Sequence, residues 1–164
     1  KVYYMDFFSD DCNAALPKFD IVYSLGFIEH FEDLKEVVRR HTMLLKTDGI
    51  LLLGVPNLRG INRIFLRQTA PDHLSLHNLD SMDLRNWNRF EKELHLKSIF
   101  KGYVGGFEPK VINKFEKKNP RSNLLKFIVK VLKLLFSCNF KFLRKLNSPC
   151  WSGYLVAIYK KIEN

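Results

Sequence analysis

Between Phe19 and Asn57 two apolar runs bracket one amphipathic pattern, and few architectures accommodate that order. Phe19-Asp20-Ile21-Val22-Tyr23-Ser24 is β-branched and aromatic, the composition of a buried strand. It runs out at Leu25-Gly26, where the chain can turn. From Phe31 onward Leu34, Val37, Val38, His41, Leu44 and Leu45 recur at helical spacing. Glu32 and Asp33 stand near the start of that pattern and Lys46 at its end, the polarity a helix dipole favours. Thr47-Asp48-Gly49 predicts a turn around a permissive glycine, and Ile50-Leu51-Leu52-Leu53-Gly54-Val55 predicts a second buried strand stopped by Pro56. Two such strands joined through a helix make a right-handed parallel crossover, so the expected fold is α/β, a mostly parallel sheet flanked by helices.

On either side the pattern is looser. Val2 to Met5 predicts a short strand ending at Asp6, and Ser9 to Lys18 a loop with room for a helical turn. Asn57 to Leu79 is a polar connection. An amphipathic helix is expected from Ser81 to about Leu94, with Met82, Leu84, Trp87, Phe90 and Leu94 facing inward. Ser98 to Val104 and Trp151 to Tyr159 are the remaining strands, and Asn123 to Leu146 holds one or two helices, broken near Ser137-Cys138-Asn139. The expected organisation is a core over 1–106, a basic helical insertion over 107–148 and the last strand of the core over 149–164.

Charge marks the insertion. Of the net charge of +10, residues 107–148 hold eleven Lys or Arg against Glu108 and Glu116, leaving the rest close to neutral. Lys126, Lys130 and Lys133 flank a broad apolar face, which suits a lid or a cover between two copies in a homodimer, and then a membrane surface contacted through residues 123–146. Nucleic acid comes last, because Arg is scarce and no aromatic residues interleave with it for stacking. With 46% hydrophobic and 13% aromatic residues the core is substantial. Cys12, Cys138 and Cys150 lack CxxC spacing and fit reduced thiols, hence a cytoplasmic protein, at most peripheral to the inner face of the membrane. No apolar run is long enough to span a bilayer. Lys1 followed at once by a β-rich run reads as a fragment that begins inside a domain.

In open parallel sheets ligands sit beyond the carboxyl ends of the strands, which singles out Asp6-Phe7, Ser24 to His30 and Pro56-Asn57. Asp6 could accept a hydrogen bond from an adenine amino group or serve as an ordinary loop or cap residue. His30 could take a proton from an attacking hydroxyl, or it and Glu29 could simply brace the helix entrance. His73 and His77 are second-rank bases or loop braces. Asn57 and Tyr103 would shape the acceptor side, whereas His41 and His95 read as structural.

The run Phe19-Asp20-Ile21-Val22-Tyr23-Ser24-Leu25-Gly26-Phe27-Ile28-Glu29-His30-Phe31, then Leu44-Leu45-Lys46-Thr47-Asp48-Gly49-Ile50 and Val55-Pro56-Asn57, resembles the class I S-adenosylmethionine-dependent methyltransferases of the type 11/12 kind. Asp72-His73-Leu74 resembles the family's stretch beside the acceptor pocket. The resemblance implies a partial Rossmann-like methyltransferase fold and S-adenosylmethionine as cofactor. It makes Asp6 the adenine acceptor, Phe7 its backbone neighbour, and Ser24, Leu25 and Gly26 the loop under the sulfonium. His30 or His73 would be the catalytic base, with Glu29, Asn57, His77 and Tyr103 around a small-molecule acceptor, a hydroxyl of a sugar or lipid-linked intermediate. The family's glycine-rich loop has no counterpart here, so the activity is expected of a parent protein and not of this fragment alone. Some quinone-precursor O-methyltransferases place another Glu three residues before the Glu-His pair to bind metal. Gly26 stands there, so no metal is expected. The alternative is a non-catalytic methyltransferase-like module docking to membrane or protein through the basic helices.

Overall fold

The computed structural model describes residues 1–107 and 145–163 and, between them, residues 123, 124, 127, 128, 130, 131 and 134. Helix α1 (Asp10–Ala15) precedes strand β1 (Phe19–Leu25), a 3-10 turn at Ile28–His30, helix α2 (Leu34–Met43) and strand β2 (Leu45–Pro56). Helices α3 (Gly60–Thr69), α4 (Pro71–Ser75) and α5 (Leu84–Glu93) follow, then strands β3 (Leu96–Phe107) and β4 (Ser152–Lys161). The four strands form one sheet in the order β1-β2-β4-β3. β1 and β2 pair in parallel, as the crossover requires, and β4 inserts antiparallel between β2 and β3.

β2 and β4 are the spine of the core. Leu51, Leu53 and Val55 of β2 and Leu155, Ala157 and Tyr159 of β4 are buried together with Val37 and Val38 of α2 and Trp87 and Phe90 of α5. The indole of Trp87 is buried without an orphan, because Nε1 donates to Ser81 O at 2.6 Å. α2 begins where Asp33 caps it, the carboxylate accepting from Glu36 N at 3.0 Å. α5 is capped the same way by Asp83, which accepts from Arg85 N at 3.0 Å and pairs with Arg59 at 2.7 Å.

Several local expectations change. Val2 to Met5 joins no strand, and Val2 and Tyr4 stand in solvent, since a β-rich run becomes a strand only where a neighbour offers a ladder. β1 is an edge strand with Ile21, Tyr23 and Leu25 exposed, because no described element covers that side of it. Thr47-Asp48-Gly49 lies inside β2 as a bulge: the register jumps from Phe19 opposite Leu45 to Ile21 opposite Ile50. Asp48 and not Gly49 takes the left-handed conformation, at φ 63°. Gly49 is needed for space, since a Cβ there would lie 2.9 Å from Lys46 O and 3.2 Å from Asp20 O. The polar connection from 57 to 79 contains α3, whose Phe65 and Leu66 are buried, and α4, with the buried Ala70 between them. The expected insertion over 107–148 and its helices lie largely outside the described residues. Among the described residues no helix is long and apolar enough to cross a membrane.

Candidate functional site

The parallel pair β1–β2 aims its carboxyl ends at one place. Ser24 and Leu25 are the last residues of β1, opposite Leu53 and Gly54, and Gly26 N donates to Gly54 O at 2.8 Å. Gly26 then turns the chain at φ 68°, a conformation costly for any residue with a Cβ. The turn drops Phe27 to His30 against the core, which buries Ile28 and Glu29 while His30 stays exposed.

Glu29 is 1% exposed, yet its Oε2 has no hydrogen-bond partner. Burial pushes its carboxyl above the ordinary range, against a backbone hydrogen bond and the neighbouring imidazoles of His30 and His77, which favour the ionised form. Oε1 lies 4.0 Å from His30 Nε2. The segment after α4 is clamped to the same turn. Asn78 N donates to Glu29 O at 2.7 Å, and Asn78 Nδ2 donates to Phe31 O at 2.9 Å.

That clamp brings the three candidate histidines into one row. The rings of His30 and His77 lie 4.7 Å apart and those of His77 and His73 lie 4.6 Å apart. His30 Nδ1 is 3.2 Å from Leu76 O, and His77 Nδ1 is 2.7 Å from His73 O. A carbonyl only accepts, so the neutral rings carry their proton on Nδ1 and keep the Nε2 lone pair. His30 and His77 open on a cleft of about 560 Å³ that Phe31, Ser75, Leu76 and Asn78 also line, and His73 lies behind His77.

Two expected members of the site stand elsewhere. Asn57 is fully buried and spends its amide on structure, Nδ2 donating to Pro149 O at 3.0 Å and Ser152 O at 2.9 Å and Oδ1 accepting from Arg59 N at 3.2 Å. It ties the end of β2 to the start of β4 and does not reach the cleft. Tyr103 donates its hydroxyl to Met82 O at 3.0 Å and lines a separate cleft with Arg59, Asp83 and Cys150. That cleft and the one at His30 share no lining residue, and β3 and β1 are opposite edges of the sheet. At the amino end, Asp6 Oδ1 accepts from Phe8 N at 2.9 Å, a turn-type contact. The Phe7 ring is packed on Phe27, Phe8 and His41. His41 is buried, with Nδ1 on Val37 O at 2.8 Å, and burial lowers its pKa.

Asn78 was the residue that sequence reasoning missed. Its one signal is the Asn-x-Asp start of a helical turn: its side chain accepts from Asp80 N at 3.0 Å while the backbone and amide hold Glu29 and Phe31.

No protein-family model matches the chain, and no curated protein matches it. Solved structures do match. A protein described as a sarcosine dimethylglycine methyltransferase from Galdieria sulphuraria superposes with a TM-score of 0.53 at 15% identity, over 99% of this chain and 59% of that one. A SAM-dependent methyltransferase from Archaeoglobus fulgidus gives 0.51 at 16% identity, over 92% of this chain and 64% of that one. The fold is that of the Rossmann-like methyltransferases. The chain spans less than two thirds of the length of either structure.

Proposed function

We propose that this chain is the acceptor-side part of an S-adenosylmethionine-dependent methyltransferase that methylates a hydroxyl of a small molecule, a sugar or lipid-linked intermediate. The observation that carries the reading is the cleft that His30 and His77 line just after the β1 turn at Gly26, with Glu29 buried beside His30 and His73 stacked behind His77, at the carboxyl end of a methyltransferase-type crossover. S-adenosylmethionine would lie over Ser24, Leu25 and Gly26, with Asp6 and Phe7 toward its adenine. Catalysis by such an enzyme is chiefly positioning: the acceptor oxygen is held in line with the sulfonium methyl, and an imidazole removes its proton. His30 is the better placed base, since Nδ1 faces Leu76 O and Nε2 keeps its lone pair. His73 is the alternative.

Calorimetric titration of the polypeptide carrying both halves of the fold with S-adenosylmethionine tests the reading. Saturable binding with one site per chain is expected, and the chain of residues 1–164 alone should bind much more weakly. Absence of binding to the longer polypeptide overturns the proposal.

A second reading, a non-catalytic module that docks through its basic segment on anionic lipid, is favoured by the exposure of Leu124, Phe127 and Leu134. Co-sedimentation with anionic vesicles at low salt is its test, and no sedimentation would remove it.

A further inference from the structure

We propose that Glu29, His30 and His77 form a binding site for one divalent transition-metal ion of the zinc type. One ligand atom from each residue lies within 4.8 Å of those of the other two. Two imidazoles and a carboxylate are the donor set that borderline ions such as Zn²⁺ and Co²⁺ select, whereas Mg²⁺ and Ca²⁺ prefer oxygen alone.

The surroundings of each ligand suit that role. A metal-bound histidine almost always donates its other ring N–H to a carbonyl or carboxylate, which fixes the tautomer and directs the lone pair. Both histidines already have that arrangement, His30 on Leu76 O and His77 on His73 O. The third ligand supplies an independent argument. A buried carboxylate oxygen with no partner is costly, and Glu29 Oε2 is one, on a carboxylate that faces His30 Nε2 across 4.0 Å. A cation between the carboxylate and the imidazoles removes that cost.

Ligand atoms sharing one ion at about 2.1 Å stand about 3.0–3.4 Å apart, so the cluster has to contract by about an ångström. His30 can supply the movement, because its side chain is 45% exposed at the mouth of the cleft. The expectation of no metal rested on the β1 turn alone, where Gly26 offers no ligand; His77 comes from the segment that Asn78 clamps onto that turn. Three protein ligands leave at least one position open toward the cleft for water or an acceptor oxygen. With the ion bound, the Nε2 lone pair of His30 is taken, since Nδ1 is protonated, and the base of the proposed methyl transfer is then His73, the alternative named above.

The chain of residues 1–164 is titrated with Co²⁺, followed by its visible absorption, and with Zn²⁺ by calorimetry. One ion per chain is expected, with affinity reduced at least tenfold in His30→Ala and in His77→Ala and unchanged in His95→Ala. Glu29→Gln should reduce it likewise. Should the variants of the more buried residues fail to fold by circular dichroism, exposed His30→Ala alone decides the matter. No saturable binding of either ion, binding that survives His30→Ala, or equal binding of Mg²⁺ would each overturn the proposal. Since the readout is the ion itself, its failure leaves the methyl-donor titration unaffected, and the converse holds.

Discussion

Replacing Asn57 with alanine separates a brace from a ligand-facing residue. The side chain is buried and makes three hydrogen bonds, to Ser152 O in the interior and, nearer the surface, to Pro149 O and from Arg59 N. Ser152 O keeps Asn62 Nδ2 at 3.3 Å, so the loss falls on Pro149 O and Arg59 N. Both lie at half-buried or exposed residues that water can reach, so each costs about the net worth of a hydrogen bond, about 0.5–1.5 kcal/mol, which puts Asn57→Ala at about 1–3 kcal/mol. In urea, with a slope of about 2 kcal/mol per molar, the unfolding midpoint should fall by about 0.5–1.5 M. Asn57→Asp keeps the acceptor for Arg59 N but turns the donor into an oxygen facing two carbonyls. It should cost at least as much near neutral pH and recover in acid as the carboxyl regains a proton. A loss below about 0.5 kcal/mol for the alanine variant, the range of an ordinary surface change, would refute the bracing role.

Gly49→Ala should destabilise the chain by about 1–3 kcal/mol in the same assay, because its Cβ meets the backbone oxygens of Lys46 and Asp20, which cannot swing away. His41 is held neutral by burial, so its folded pKa lies below the ordinary 6.5. Its contribution to stability is complete above that value and is lost as pH falls through the folded pKa, at up to about 1.4 kcal/mol per pH unit. Comparing urea midpoints of the protein and of His41→Gln at about pH 7.5 and about pH 5 should therefore show a shallower acid loss in the variant, and parallel losses would contradict it.

How far the site could be read depended on sequence separation. Gly26, Glu29 and His30 are contiguous, and the placement of a turn after an apolar strand is a local matter. His73 and His77 were visible as candidates, but their meeting with His30 depends on Asn78 reaching Glu29 and Phe31, a contact no periodicity encodes. Asn57 shows the opposite case: it follows β2, where ligands bind, yet its amide donates to Pro149 O and Ser152 O, which come from a distant part of the chain, while its oxygen accepts from the nearby Arg59 N. That Tyr103 lines a cleft other than the one at His30 follows from strand order, which sets β3 at the edge away from β1 and is a tertiary property.

The apolar runs, the helical spacing and the turn residues between Phe19 and Asn57 determined by themselves that β1, α2 and β2 form and pair in parallel, since each rests on local dihedral preference and on one continuous apolar face. Only the tertiary structure decided that β1 is an edge, that β4 lies between β2 and β3, and that a buried carboxylate faces two histidines. Those outcomes depend on which distant segments compete for the same hydrogen bonds and the same buried surface, and that competition is resolved only when the whole chain packs.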